Sequence, residues 1–188
     1  MTNPSYSEHL SAWASNLTFE DLPDDVVTDA NLRVLDILGT TLAASSFENS
    51  FSVRDAALRT GAGDEARILG HGNRASTAGA ALANGAMAHA LDYDDTHFGS
   101  VVHISAPTVT TAMTLGEALG ATGKQILTAI VAGAEVGCRI GSVAPKAFHQ
   151  QGFHATAVVG TFGATVTATK LLSLDANKTA NALGIAGS

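Results

Sequence analysis

Apolar residues recur at helical spacing along almost the whole chain. Tyr6, Leu10, Trp13 and Ala14 mark a helix from Tyr6 to Ser15, and Leu17, Phe19 and Leu22 form an apolar linker into Pro23. Pro23, Asp24 and Asp25 then stand ahead of Val26, Val27, Ala30, Leu32, Val34, Leu35, Ile37 and Leu38. This reads as a helix start, because proline has no amide hydrogen to leave unpaired and carboxylates complement the free N–H groups of a first turn. The second helix should reach about Ala44, and a third should run from Phe51 to Thr60 and stop at Gly61, Ala62 and Gly63. Ala66 to Leu69 is the one stretch that reads as a strand, and one lone short strand cannot make a sheet.

Ser76 fits the cap of a helix extending to Leu91, since its hydroxyl can accept from the first free backbone amides. Tyr93 to Val102 reads as a loop beyond that helix. Further helices follow at Ala106 to Leu119, Thr122 to about Val143, Thr156 to Leu172, and Ala176 to Ile185 behind the cap Asp175, with Pro145 to Gly152 as a connection. The helix from Thr156 is built of alanine, glycine, threonine and valine, small enough for close approach, so it should be central. The expected fold is all-α, with no internal repeat. The last apolar run stops unfinished at Gly187 and Ser188, which predicts a helix that continues into more protein.

With 188 residues and 46% hydrophobic content the chain can bury roughly 70% of its unfolded surface as one domain. Only 14% of residues are charged, well below the usual ~25%, so much of this surface should be covered by something else. The net charge is −7 and the 10 basic residues are scattered, which argues against nucleic acid as a partner. No apolar run is long enough to span a membrane, because Lys124, Gln125, Glu135 and Arg139 interrupt the nearest candidate. The N-terminus carries no secretory pattern, and the single cysteine, Cys138, rules out an internal disulfide, so a reducing, cytoplasmic setting is expected.

Chemistry concentrates between Asn84 and Ser105. There His89, Asp92, Asp94, Asp95, His97 and His103 follow the spacing H-x2-D-x-D-D-x-H-x5-H. Four readings compete. The nitrogen and oxygen donors suit a transition metal, although the spacing lacks H-E-x-x-H and the glycine and final glutamate of a calcium loop. Imidazoles beside carboxylates could transfer protons or hold a carboxylate, with His103 and His154 as the pair, each standing just before a helix. A nucleophile is the third reading, but there is no G-x-S-x-G elbow and Cys138 has no basic partner nearby. In the fourth reading, Asp92, Asp94, Asp95 and Thr96 simply hydrogen-bond their own backbone as a helix stop and turn. Asp92, three residues past His89 on the same helical face, would orient a histidine, and His89 would be buried. His71, in the turn after the strand, reads as a surface or turn-bonded histidine, and His9, His97 and His149 as exposed.

The segments N-G-x-x-x-H-x-L-D-Y-D-D-T-H, G-F-H-x-T-x-x-x-G-x-F-G-A and A-L-G-I-A-G-S resemble the MmgE/PrpD family of dehydratases, decarboxylases and epimerases. The resemblance covers nearly the whole chain. It implies an all-α helical bundle domain of MmgE/PrpD type, here its N-terminal portion over residues 1–188 without the family's α+β lid domain. It also implies a homodimer, no cofactor, no metal, and acid–base handling of a small di- or tricarboxylic acid. By motif, His103, His154 and Asp92 match catalytic positions, and Thr96, His103 and His154 match substrate-binding positions. The family's later lysines and tyrosine are not in this chain, which could therefore be a fragment or a dimerisation and scaffold module that needs a separate chain. Ile104 stands where family members usually carry proline, which loosens the restraint on His103.

Overall fold

The computed structural model describes residues 5–60 and 63–188, so Gly61 and Ala62 of the expected helix stop lie outside the described residues. The described residues form nine helices: α1 (Tyr6–Asn16), α2 (Asp24–Ala44), α3 (Glu48–Thr60), α4 (Thr77–His89), α5 (Ser105–Leu119), α6 (Gly123–Ser142), α7 (Ala147–Gln150), α8 (Ala155–Leu171) and α9 (Ala176–Ala186). Helix starts follow side-chain chemistry. Ser5 with Glu8 and Thr122 with Gln125 form reciprocal capping boxes, and the Ser76 and Asp175 side chains accept from Gly79 and Lys178 amides. Helix α3 begins earlier than expected, because its first turn is polar and carries no apolar periodicity.

The strand expectation needs correction. β1 (Ala66–Arg67) pairs antiparallel with β2 (Arg74–Ala75) across a turn in which Gly70 and Gly72 have φ of 77° and 68°. So short a ladder leaves backbone groups unpaired, and neighbouring helices supply partners. Asn84 of α4 accepts from Leu69 N and donates to Arg67 O, both at 2.9 Å, and Glu117 of α5 accepts from Arg67 N at 3.0 Å. The hairpin is thus a clasp tied to α4 and α5.

Helix α8 is central, packing on α5, α6 and α9, while α1 closes against α9. Its crossing with α6 is tight because Gly133 has no side chain. A Cβ there would stand 2.0 Å from Thr167 Oγ1 and 2.5 Å from the Gly163 carbonyl. A notch beside this crossing receives the Ile104 side chain, whose Cδ1 would lie 2.5 Å from a Cβ on Gly137 and 3.1 Å from one on Gly163. Ile104 is 2% exposed and clusters with Val102, Ala155 and Val159. Packing in the notch restrains the backbone after His103, where proline would have done so covalently. No helix among the described residues is long and apolar enough to cross a membrane.

Candidate functional site

Helix α4 ends at His89, two residues sooner than the sequence pattern indicates, and the chain turns sharply with Asp92 in the left-handed region at φ 50°. Asp92 is therefore not on the α4 face with His89. Its side chain is 79% exposed, and its Oδ1 lies 3.7 Å from His103 Nε2, beyond a direct hydrogen bond. The following loop is held in two places. His97 N donates to Val102 O at 2.9 Å, and Asp95 Oδ1 accepts from Ser105 N at 3.0 Å while its other oxygen pairs with Arg33 of α2. Asp95 thereby caps α5 from a distance, satisfying an amide that Ile104 at the cap position cannot.

Two contacts bring the distant histidines together. His103 N donates to Thr156 Oγ1 in the first turn of α8 at 3.0 Å, and His154 occupies the cap position of the same helix. Ring centroids then lie 4.9 Å apart for His89 and His103, 5.3 Å for His89 and His154, and 6.5 Å for His103 and His154. Thr96 stands at the edge, its Oγ1 3.4 Å from His103 Nδ1. His89 is half-buried at 29% side-chain exposure, not buried as its helical context indicated. The expected exposure of His9, His97 and His149 holds, and His71 is half-buried against the Phe51 ring.

The carboxylate inside the cluster is Asp94, which the sequence reading assigned to a turn. Its side chain is fully shielded from solvent, and both oxygens face His89 Nδ1, at 2.9 and 3.1 Å. A buried carboxylate only accepts, so His89 Nδ1 carries the hydrogen and Nε2 keeps its lone pair when the ring is neutral. That lone pair meets His154 Nε2 at 3.1 Å, which casts His154 as the donor. His103 Nδ1 faces the Asp94 carbonyl oxygen at 3.2 Å and donates to it, leaving His103 Nε2 bare in the neutral ring. Burial, then the neighbouring His89, His103 and His149 rings, hold the His154 pKa below the ordinary histidine value, against the opposing pull of Asp92. His89 and Asp94 were missed because backbone curvature past α4 decides which carboxylate turns inward. A usable signal was Gly85, one turn before His89, which keeps that helix face open.

His89 and His154 sit at the end of an open groove of about 340 Å³ between α4, α5 and α8, floored by Gly85, Ala106 and Gly160. No lysine or arginine lines it among the described residues. His89, Asp92, Asp94 and His103 each place a donor atom within 4.8 Å of the others. The set fits a metal poorly. His103 approaches Asp94 with Nδ1 and Asp92 with Nε2, each at 3.7 Å, and these two ring atoms point in diverging directions. The Asp94 carboxylate already turns both oxygens to His89 Nδ1 at hydrogen-bond distance. Burial pushes the Cys138 thiol up to about 11, which disfavours the thiolate that a nucleophile needs.

The MmgE/PrpD N-terminal domain model matches residues 8–188. A cis-aconitate decarboxylase of Aspergillus terreus is 29% identical over 180 residues, covering 93% of this chain and 37% of the relative. The cis-aconitate decarboxylases of Mus musculus and Homo sapiens are each 28% identical over 188 residues, covering 97% of this chain and 38% and 39% of theirs. The chain thus spans less than two-fifths of the length of these relatives. On the strength of the domain match, which runs through the histidine cluster and on to Ser188, the chain belongs to the MmgE/PrpD family.

Proposed function

We propose that the chain is the helical part of a lyase or isomerase that acts on a small di- or tricarboxylic acid by metal-free acid–base chemistry. The observation that supports this best is the convergence of His89, His103 and His154 from three separate segments, with ring centroids 4.9 to 6.5 Å apart and with His89 and His154 lining one groove. Such spacing lets two imidazoles reach one molecule of six or so carbons. The step would be removal of a proton alpha to a carboxylate, followed by loss of water or carbon dioxide or by reprotonation on the other face. A carbon acid of this kind needs its enediolate-like charge met by donors. His103 Nε2 and His154 are the proton-transfer and carboxylate-binding groups, Thr96 donates a hydrogen bond, and Asp92 sets the charge near His103. The substrate's carboxylates also need cations, and the groove has none among the described residues. That favours activity only when further protein completes the site. A homodimer in a reducing cytoplasm fits the exposed apolar side chains of α2 and the lone, half-buried thiol.

A second reading, a scaffold or dimerisation module without chemistry of its own, draws on the same lack of a cation. The two separate in one assay. The chain, alone and complemented with the rest of a full-length relative, is offered cis-aconitate and 2-methylcitrate at high protein concentration. Turnover that vanishes in His103→Asn supports the enzyme, and turnover indifferent to that change, or absent in every combination, contradicts it.

A further inference from the structure

We propose that Asp94, His89 and His154 form a proton relay, in which His89 is a positioning and proton-storing residue that lies behind His154 and does not itself meet the substrate. The inference rests on the functional reading above for the substrate it would serve, but its geometry is independent of which acid that is.

The order of the three groups follows from their contacts. Asp94 is shut away from solvent and spends both carboxylate oxygens on His89 Nδ1. No lysine or arginine is among its ion-pair partners in the described residues, so the imidazole is its source of compensation. Two facts then fix the direction of transfer. His89 Nε2 lies 3.1 Å from His154 Nε2, and the two rings are nearly parallel at 23°. His154 is the more exposed of the two, and its Nδ1 makes no hydrogen bond among the described residues, so that atom is the one presented to the groove.

A proton balance can be written on these atoms. The substrate carbon–hydrogen bond breaks, its electron pair stays on carbon as the enediolate, and the proton joins His154 Nδ1. The hydrogen already on His154 Nε2 passes to His89 Nε2. His89 becomes an imidazolium with both nitrogens protonated, Asp94 keeps its charge beside it, and His154 is neutral again with its hydrogen on Nδ1. Running the same transfers backwards returns a proton to carbon or to a leaving hydroxyl. The store is useful because the charge is parked next to a buried carboxylate, away from the groove. The groups that face this pair are His103, His149 and Asp92 as well as Asp94, and only the last lies on the His89 side at hydrogen-bond distance.

The test reads tautomers directly and needs no substrate. Protein labelled with 15N-histidine is examined by long-range proton–nitrogen correlation at about pH 8, where ordinary histidines are neutral, and then titrated. The expected result is hydrogen on Nδ1 of His89 and on Nε2 of His154. In Asp94→Asn the hydrogen should leave His89 Nδ1 for Nε2 in at least part of the population, since an amide can donate to Nδ1 where a carboxylate can only accept. His154→Ala, at an exposed position, guards against misfolding of the first variant and should leave the hydrogen on His89 Nδ1. Hydrogen on His89 Nε2 in both wild type and His154→Ala, or a His89 tautomer unchanged in Asp94→Asn, overturns the relay. In the complemented enzyme, Asp94→Asn should lower kcat at least tenfold with KM nearly unchanged. Failure to turn over any acid would sink the functional reading while leaving the tautomer result standing.

Discussion

His154 is a side chain whose protonation this fold resists, through partial desolvation first and then through the imidazoles of His89, His103 and His149, opposed by Asp92. The unfolded chain binds that proton more tightly. Acidification through the ordinary histidine value of 6.5 therefore favours unfolding, and the penalty is complete once the pH is below the depressed folded value. His154→Gln removes the penalty, so thermal melts should show variant and wild type alike at about pH 8 and the variant melting higher at about pH 5. Cys138 offers a second check: with its thiol held up to about 11, iodoacetamide should leave it unmodified at neutral pH until the protein is denatured, as mass spectrometry would record. His103 and His154 were legible as a pair because each stands directly before a helix rich in small residues. The choice of Asp94 over Asp92 as the inward carboxylate was not, since it depends on Asp92 adopting φ 50°, a local reversal that no periodicity encodes.

Helices were readable in the sequence wherever one face is apolar at a period of 3.6, and α2, α6 and α8 begin and end within a few residues of expectation. The hairpin was not readable, because its pairing is secured by Asn84 and Glu117, which are far away in sequence. Glycine marks where elements meet. Gly133→Ala would drive a methyl into Thr167 and the Gly163 carbonyl and should destabilise by about 1–3 kcal/mol. Gly39 lies within α2, where an added methyl would meet no atom within 4 Å, so Gly39→Ala should stabilise by about 0.5–1 kcal/mol. Urea melts of the two variants test that contrast. Asp95→Ala removes both the distant cap of α5 and the partner of Arg33, and should cost about 1–2 kcal/mol in the same measurement. Because α5 begins directly after His103 and Ile104, that variant should also broaden the His103 resonance.

At the scale of the molecule, two groups of apolar side chains stand in solvent. Leu32, Leu35 and Leu42 of α2 are 53% to 67% exposed, and Tyr93, Phe98 and Phe153 around the histidine cluster are 61% to 91% exposed. Apolar side chains gathered in this way mark surfaces that bind other protein. Sedimentation of the chain should therefore show association that grows with concentration, and Leu35→Lys should weaken it. The low charged fraction of 14% already hinted at covered surface, whereas the position of the patches depends on the packing of α2 against α4, α5 and α6. The claim on which the whole reading turns is that one small polycarboxylate meets His103 and His154 together, with His89 coupled to it through His154. Its most direct measurement is a titration of 15N-histidine-labelled protein with cis-aconitate, followed by NMR. The expected result is joint movement of the His89, His103 and His154 signals while those of His9 and His71 stay in place. Saturating ligand that moves none of the three, or that moves only His9 or His71, would contradict it.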